Sequence, residues 1–530
     1  MSDRKRYLLN YVMSGASYAA DFLSLFVIVP KITGAVSPQV YGTFCAIFGY
    51  TFMLSHADLG FTGAASKFAC DEFVRGNQEK EIELLSAAAF LQFLGYVVVA
   101  LILLAFAADP HIVISGLNQE TAAIIRRLFI LLAVFSLASI PNGILGAISG
   151  FRIEGYRLAS WQLLSGMIGL ASVFVIFGPG GSHSVVRYYL LTNLVSIGTT
   201  FLVGYHLLRK WNYPVRAFLR AFRFNKEALA LLWPLARVSL FSSLAWIAYY
   251  EMDNVFIGKF ISVQALAFYA IAASGMSFFR RLNVTLLGPY PPVYNRFYVN
   301  NDDAGMRSFY LSNVAVTAPF IFIPAVVAII FMPQFIVAWV GVKYAPSIDA
   351  ARLLVGCWML APVMDLPCNI LRAKLVLRPI YVLGILDVVV FWGTVGLLVG
   401  PYGLASVAFG KAATKWIDGS VCVYLGNRLV RLDAREYASK ILAPLLLTLL
   451  VILCLCHPFV GMATVKSKGV LLKLLAIEGG ICAVALASYA AFSRQFRRAV
   501  GEEYFVFRNI RSRLASAFGG AASRLSARLR

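Results

Sequence analysis

Residues 84–108 read LLSAAAFLQFLGYVVVALILLAFAA, an unbroken run without a single Asp, Glu, Lys or Arg. As a helix rising about 1.5 Å per residue, it is longer than the roughly 30 Å hydrocarbon core of a bilayer. Backbone N–H and C=O groups find no water in that core, so a spanning segment must satisfy them within itself, as a helix does.

Windows of the same kind recur on both sides of this run, about 14 in all. They cover 9–30, 41–62, 84–108, 124–148, 158–178, 186–208, 229–257, 265–289, 309–331, 349–371, 380–399, 404–427, 441–460 and 470–492. The whole chain agrees: 60% of its 530 residues are hydrophobic, 14% are charged, and the mean hydropathy is +0.76. Soluble domains are about 45–50% apolar. The expected fold is an all-α polytopic membrane protein with no soluble domain large enough to carry chemistry by itself.

The net charge of +22 would suggest nucleic acid in a soluble protein, so its distribution decides the matter. With the N-terminus inside, cytoplasmic segments hold about 32 of the 47 Lys and Arg, external segments about 6 and the spans about 9, as the positive-inside rule requires. The charge therefore reports topology, and nucleic acid is not an expected partner. The densest clusters are Arg209, Lys210, Arg216, Arg220, Arg223 and Lys226, then Arg428, Arg431, Arg435 and Lys440. Both loops are expected to face the cytoplasm, with both termini.

The eight cysteines lie in or beside apolar spans without metal-type spacing, so neither disulfide nor zinc is expected. No HExxH, GxxxxGK[ST] or GxSxG motif occurs, and His56 has no ligand spacing to the other histidines. No cofactor, metal or catalytic residue is expected. The start MSDRKR resembles a signal n-region, but Asp21 interrupts the apolar stretch that follows, which reads as an uncleaved first span.

A weak internal repeat organises the chain. Lys31 and Tyr41 recur with the same spacing as Lys259 and Tyr269, and Gly178-Pro179 closes the fifth span as Gly400-Pro401 closes the eleventh. Six helices return the chain to its starting side, so two such bundles are related by a pseudo-two-fold axis along the membrane normal. The expected domains are 1–210, 211–428, two additional helices in 429–493 and a basic cytoplasmic tail in 494–530. In that tail Phe507, Ile510, Leu514 and Phe518 recur at helical spacing, which fits either an amphipathic surface helix or a disordered basic segment. The charged stretch from Lys67 to Glu83 is expected along the cytoplasmic surface.

Particular residues carry a resemblance. The run from Pro30 to Asn77, with Ser37-Pro38-Gln39-Val40-Tyr41-Gly42, Asp58-Leu59-Gly60 and Arg75-Gly76-Asn77, resembles the N-terminal signature of bacterial polysaccharide-biosynthesis flippases of the multidrug/oligosaccharidyl-lipid/polysaccharide exporter superfamily. Met252-Asp253-Asn254-Val255-Phe256-Ile257-Gly258 and Ala267-Phe268-Tyr269-Ala270-Ile271-Ala272 are similar to the same family, as are Tyr344-Ala345-Pro346 and Gly400-Pro401-Tyr402-Gly403. The resemblance covers most of residues 8–430. It implies transport of a polyprenyl-pyrophosphate-linked oligosaccharide across the bacterial cytoplasmic membrane by alternating access of two bundles. The implied partners are that lipid-linked oligosaccharide, membrane lipids and polysaccharide-assembly enzymes, and the expected state is a monomer.

Charges inside a span cost about 2.5–3.5 kcal/mol each on insertion scales and normally face a cavity or a partner. Arg237 on the seventh span and Arg280 and Arg281 on the eighth fall at similar depths, about 12 Å from the cytoplasmic side. Guanidinium groups offer a fork of donors to pyrophosphate oxygens, so Arg237, Arg281 and then Arg280 are the substrate-binding candidates. The alternative is a structural cation, paired or snorkelling. Positions 237, 241, 244, 248 and 251 follow the helical period, placing Glu251 on the face of Arg237. Glu251 is a candidate for ion coupling, together with Asp253, whose plainer role is to fix a helix end, and Asp21, whose plainer role is an ion pair. Arg126, Arg127 and Arg352 near external ends either meet the phosphate in an outward-open state or snorkel. Lys411 and Lys415 are read as an ion-pair group with Asp387.

A multidrug or small-metabolite antiporter of the same superfamily is the alternative function, although its cavity would favour acidic residues over basic ones. A membrane glycosyltransferase would need larger loops bearing acid/base residues, so an enzyme is not expected.

Overall fold

The computed structural model describes residues 3–501 except 55–57, 59, 179–180, 289, 377 and 463–464. The tail positions Phe507, Ile510, Leu514 and Phe518, and His56, lie outside the described residues. Every described element is helical.

The first group comprises α1 (Asp3–Ala35), α2 (Pro38–Leu54), α3 (Phe61–Val74), α4 (Gln78–Ala108), α5 (Gln119–Ala138), α6 (Ile140–Phe151), α7 (Gly155–Ile176) and α8 (Ser184–Lys210). Then come α9 (Val215–Ala221), α10 (Lys226–Trp246), α11 (Met252–Phe256), α12 (Val263–Leu287), α13 (Pro291–Val299) and α14 (Asp303–Trp339). The chain continues through α15 (Ile348–Gly356), α16 (Ala361–Ala373), α17 (Arg378–Tyr402), α18 (Leu404–Leu429), α19 (Ala434–Tyr437), α20 (Ala443–Cys456) and α21 (Lys468–Phe492).

Among the described residues ten helical stretches are long and apolar enough to cross a membrane, or eleven when the bent α10 segment counts as one span. The expected count of 14 exceeds this by α2, α12 and α18. Each of the three is a helix where a span was read, but α2 has only 17 residues. The other two carry charge within the span, Arg280 and Arg281 on α12 and Lys411, Lys415 and Asp418 on α18.

Two compact units divide the chain. One comprises Met1–Ile271, Trp339–Ser347 and Leu398–Val407; the other comprises Ala272–Ala338, Ile348–Leu397 and Ala408–Arg530. In the first unit α1 packs along α7, α7 along α8, α4 along α5, and α3 against α4 and α10. Its core near the α3–α4 turn is closed by small residues, with Ala64, Ala65 and Ala69 of α3 fully buried beside Ala88, Leu232 and Ala236. The stretch expected along the membrane surface thus belongs to two packed helices joined at Arg75–Asn77. Asn77 starts α4 by accepting the Lys80 N–H, and the Arg75 side chain pairs with Glu72.

In the second unit α14 forms the axis. Tyr310, Val314, Ala315, Ile321, Ala325 and Phe331 are fully enclosed, and the same core takes in Ile370, Ile452, Leu474 and Tyr489. A helix buried all round needs no amphipathic stripe. It does have a backbone problem, because Pro319, Pro324 and Pro333 lie inside it and each removes one i→i−4 hydrogen bond. Two of the freed carbonyls are answered by side chains. The Tyr489 hydroxyl donates to the Ala315 carbonyl at 3.1 Å, and Arg352 Nε donates to the Ile329 carbonyl at 3.3 Å. Arg352 also lies 3.7 Å from Asp349. In this structure Arg352 therefore completes a helix.

Candidate functional site

Asp58 and Gly60 shape the entry into α3. Gly60 has φ +78°, its N–H donates to Asp58 Oδ1 at 3.1 Å, and α3 starts at the next residue. A methyl group at Gly60 would overlap the Ser239 side chain and stand 3.0 Å from the Ala236 carbonyl oxygen. The Asp58–Gly60 turn therefore rests on α10 on either side of Arg237. Tyr96 on α4 lies near Asp58 and hydrogen-bonds with Gln92 of the same helix and with Ser139 at the α5–α6 junction, so polar groups gather at the break.

Arg237 is exposed on α10, where the segment from Lys226 to Ile261 bends by 45° between Arg237 and Ser239. Beyond the bend, Ile247–Glu251 and Ile257–Ile261 are wider π-type turns. Each adds a residue to the local turn and shifts the helical phase. The regular period expected to align Arg237 with Glu251 does not hold across this region: Arg237 is exposed, whereas Glu251 is 8% exposed. Asp253 is more deeply buried and accepts the Tyr269 hydroxyl on Oδ2 and the Asn254 N–H on Oδ1. It ties the short α11 to α12. Asp21 falls in the second half of α1.

Arg280 is half-buried and Arg281 exposed on α12. Both belong to the second unit, and Arg237 belongs to the first.

Within the second unit, Lys415 belongs to a polar group of which Asp365 and Asn283 were not found by sequence reasoning. Lys415 Nζ lies 2.5 Å from Asp365 Oδ1, and Asn283 Nδ2 donates to Asp365 Oδ2 at 2.6 Å. The same ammonium stands 5.1 Å from the Trp358 ring centroid, and Asp387 and Asp418 act on it electrostatically. The expected partner, Asp387, is thus a neighbour, and the direct ion pair is with Asp365. Asp365 carries the same signal that marked Lys415, a charge within an apolar span, here between Pro362 and Pro367. Lys411 is 1% exposed, with Nζ 4.7 Å from the Phe391 ring centroid.

In the first unit, two buried carboxylates hold the loops. Glu81 accepts Arg152 Nη2 at 3.1 Å, and that guanidinium lies 4.6–5.6 Å from the ring centroids of Phe73, Phe151, Trp211 and Tyr213. Glu154 pairs with Lys210, with Arg157 at 3.0 Å and with Arg6 at 3.8 Å. Burial raises the Glu154 carboxyl, but the Lys210 ammonium and the two guanidiniums outweigh it and hold the group below the usual carboxylate range. Arg126 donates to the Ala107 and Ala108 carbonyls and so caps α4. Among the described residues no His, Cys, Asp or Glu group is arranged to hold a metal ion.

A family model described as polysaccharide biosynthesis protein matches residues 59–349. The chain belongs to that family. Within this polysaccharide biosynthesis protein, the matched span runs from the Asp58–Gly60 break to the start of α15. It includes Arg237, Glu251, Asp253, Arg280 and Arg281. The fold is shared with the lipid II flippase MurJ in an inward closed conformation, at TM-score 0.65 and 14% identity over 91% of this chain and 99% of that one. It is shared also with a multidrug resistance transporter of the MATE family in an inward-facing conformation, at TM-score 0.63 and 16% identity, over 77% and 94%. A transporter of the MOP superfamily from Pyrococcus furiosus superposes at TM-score 0.53 and 16% identity, over 81% and 96%. No curated protein matches the chain in sequence.

Proposed function

We propose that this multi-pass membrane protein is a flippase. It carries a polyprenyl-pyrophosphate-linked oligosaccharide from the inner to the outer leaflet of a bacterial cytoplasmic membrane, for cell-surface polysaccharide synthesis. The observation that carries this reading is membership of the polysaccharide biosynthesis family over a helical fold shared, nearly end to end, with a lipid II flippase. The reading uses bundles 1–210 and 211–428 as the two halves of an alternating-access cycle, with helices 429–493 added and both termini cytoplasmic. Arg237, Arg281 and Arg280 engage the pyrophosphate, and Glu251, Asp253 and Asp21 couple an ion. The chain works as a monomer, beside polysaccharide-assembly enzymes, and performs no covalent chemistry.

The fold shared with multidrug transporters favours one other reading, an antiporter for small organic solutes. The two are separated by reconstituting purified protein in liposomes and following exposure of a polyprenyl-pyrophosphate oligosaccharide to an external glycosidase. Acceleration by wild type, lost in Arg237→Ala and Arg281→Ala at matched reconstitution, is the expected result. Acceleration that survives both substitutions removes the arginine site and keeps the flippase. No acceleration, with or without ion gradients, transfers the protein to the antiporter class.

A further inference from the structure

The first unit contains an apolar groove of about 750 Å³ whose lining includes none of the residues assigned to substrate or ion in the proposed function. Its walls come from Ile144 and Leu145 on α6, Phe201 on α8, and Phe218 and Leu219 on α9, among others. The volume lies within the roughly 300–1,000 Å³ range of small-molecule sites. Phe201, Tyr205 and Leu219 line it and are themselves exposed, so the groove opens to its surroundings.

Its polar end is built. Arg209 lines the groove in the last turn of α8, where a long apolar stretch ends. Lys210 beside it is engaged by Glu154, whereas the Arg209 guanidinium lies over the Tyr205 ring at 4.4 Å. Tyr213, four residues after Arg209, also lines the groove and is 7% exposed, with the Arg152 guanidinium 5.6 Å from its ring centroid; its buried hydroxyl has no hydrogen-bond partner among the described residues. A buried hydroxyl left unpaired is costly, which points to a missing acceptor or donor at that place. The α9 segment completes the pattern. Val215, Phe218, Leu219 and Phe222 line the groove from one stripe, while Arg216 and Arg220 project from the flank of the same helix and Arg223 follows its end.

We propose that this groove is a binding site for an anionic phospholipid, with one acyl chain along the α6–α8–α9 wall and the phosphate at Arg209 and the Tyr213 hydroxyl. Charge selects the occupant: an apolar groove lined by the Arg209 guanidinium, which makes no ion pair among the described residues, beside a helix carrying Arg216 and Arg220, complements a lipid that joins a hydrocarbon tail to a net negative head. The site lies within one unit and operates whether or not the protein transports anything.

The test uses the full chain in phosphatidylcholine vesicles containing a trace of photoactivatable lipid, with the reactive group on the acyl chain. The head is either phosphatidylglycerol or phosphatidylcholine, and adducts are mapped by mass spectrometry. Adducts should concentrate in 137–148 and 201–222, with the phosphatidylglycerol probe favoured by about fivefold. Arg209→Gln should bring the two probes near parity, and Tyr213→Phe should reduce the preference with an unchanged thermal melt. Equal yields from the two heads in wild type would mean annular lipid only and overturn the site. So would adducts confined to other segments, or a preference untouched by both substitutions. Displacement of the probe by a polyprenyl-pyrophosphate oligosaccharide, and not by added phosphatidylglycerol, would reassign the groove to the transported lipid.

Discussion

Arg152 holds a buried carboxylate and four aromatic rings in one place. Its side chain is 10% exposed and that of Glu81 is 1% exposed, so Arg152→Ala leaves Glu81 desolvated and alone. The expected loss is about 3–5 kcal/mol, read as a lowered unfolding midpoint in detergent. Arg152→Lys should rescue only in part, because an ammonium keeps the charge but lacks the planar face that stacks on the rings. Glu154 makes a prediction about pH. Its folded-state pKa is depressed, so its stabilisation is fully present above the ordinary value of 4.5 and disappears as pH falls through the lowered value. Melting curves of wild type and Glu154→Gln should therefore differ at pH 7 and converge in strong acid; a gap that persists there would refute the assignment. Sequence reasoning can mark an intramembrane charge, since its cost is a property of position alone. It did not reach the pairing of Lys415 with Asp365, or the use of Arg126 and Arg352 on backbone carbonyls, because which side chain meets which group is set by how the helices pack in space, even when the helices are neighbours in the chain.

Among the elements, two close approaches carry sharp expectations. Gly60→Ala forces a Cβ into a left-handed backbone position and against α10, so at least about 2 kcal/mol should be lost. On α18 a methyl at Gly426 would stand 2.5 Å from Pro367 Cβ, a ring that cannot move aside, so Gly426→Ala should separate α18 from α16 and lower the melt similarly. Helix existence was legible from apolar length at every span, including α12 and α18, where charge dilutes the hydropathy. Helix phase was not legible beyond residue 246. A π-type turn leaves no mark in a single sequence, and it carries Glu251 away from the face that an ideal period assigns it. Cysteine accessibility scanned through 226–261 should follow a 3.6-residue period to Trp246 and then slip at each wide turn; an unbroken wave would contradict the geometry.

For the molecule as a whole, the loop charges predict orientation. In intact cells an impermeant thiol reagent should label Glu120→Cys and spare Arg435→Cys, above a background set by wild type; the reverse would invert the topology. Membrane class and family could be read from composition and motifs, because lipid imposes apolar length residue by residue and the family's short turns recur as motifs. The contact between Tyr489 and α14 bears on how the chain is made. Tyr489 follows Ala315 by 174 residues, so at about 5–20 residues per second the carbonyl exposed by Pro319 waits on the order of ten seconds or more for its donor. During synthesis α14 must enter the membrane unfinished, sheltered by water or by the insertion machinery, and only the last span to emerge completes its wiring.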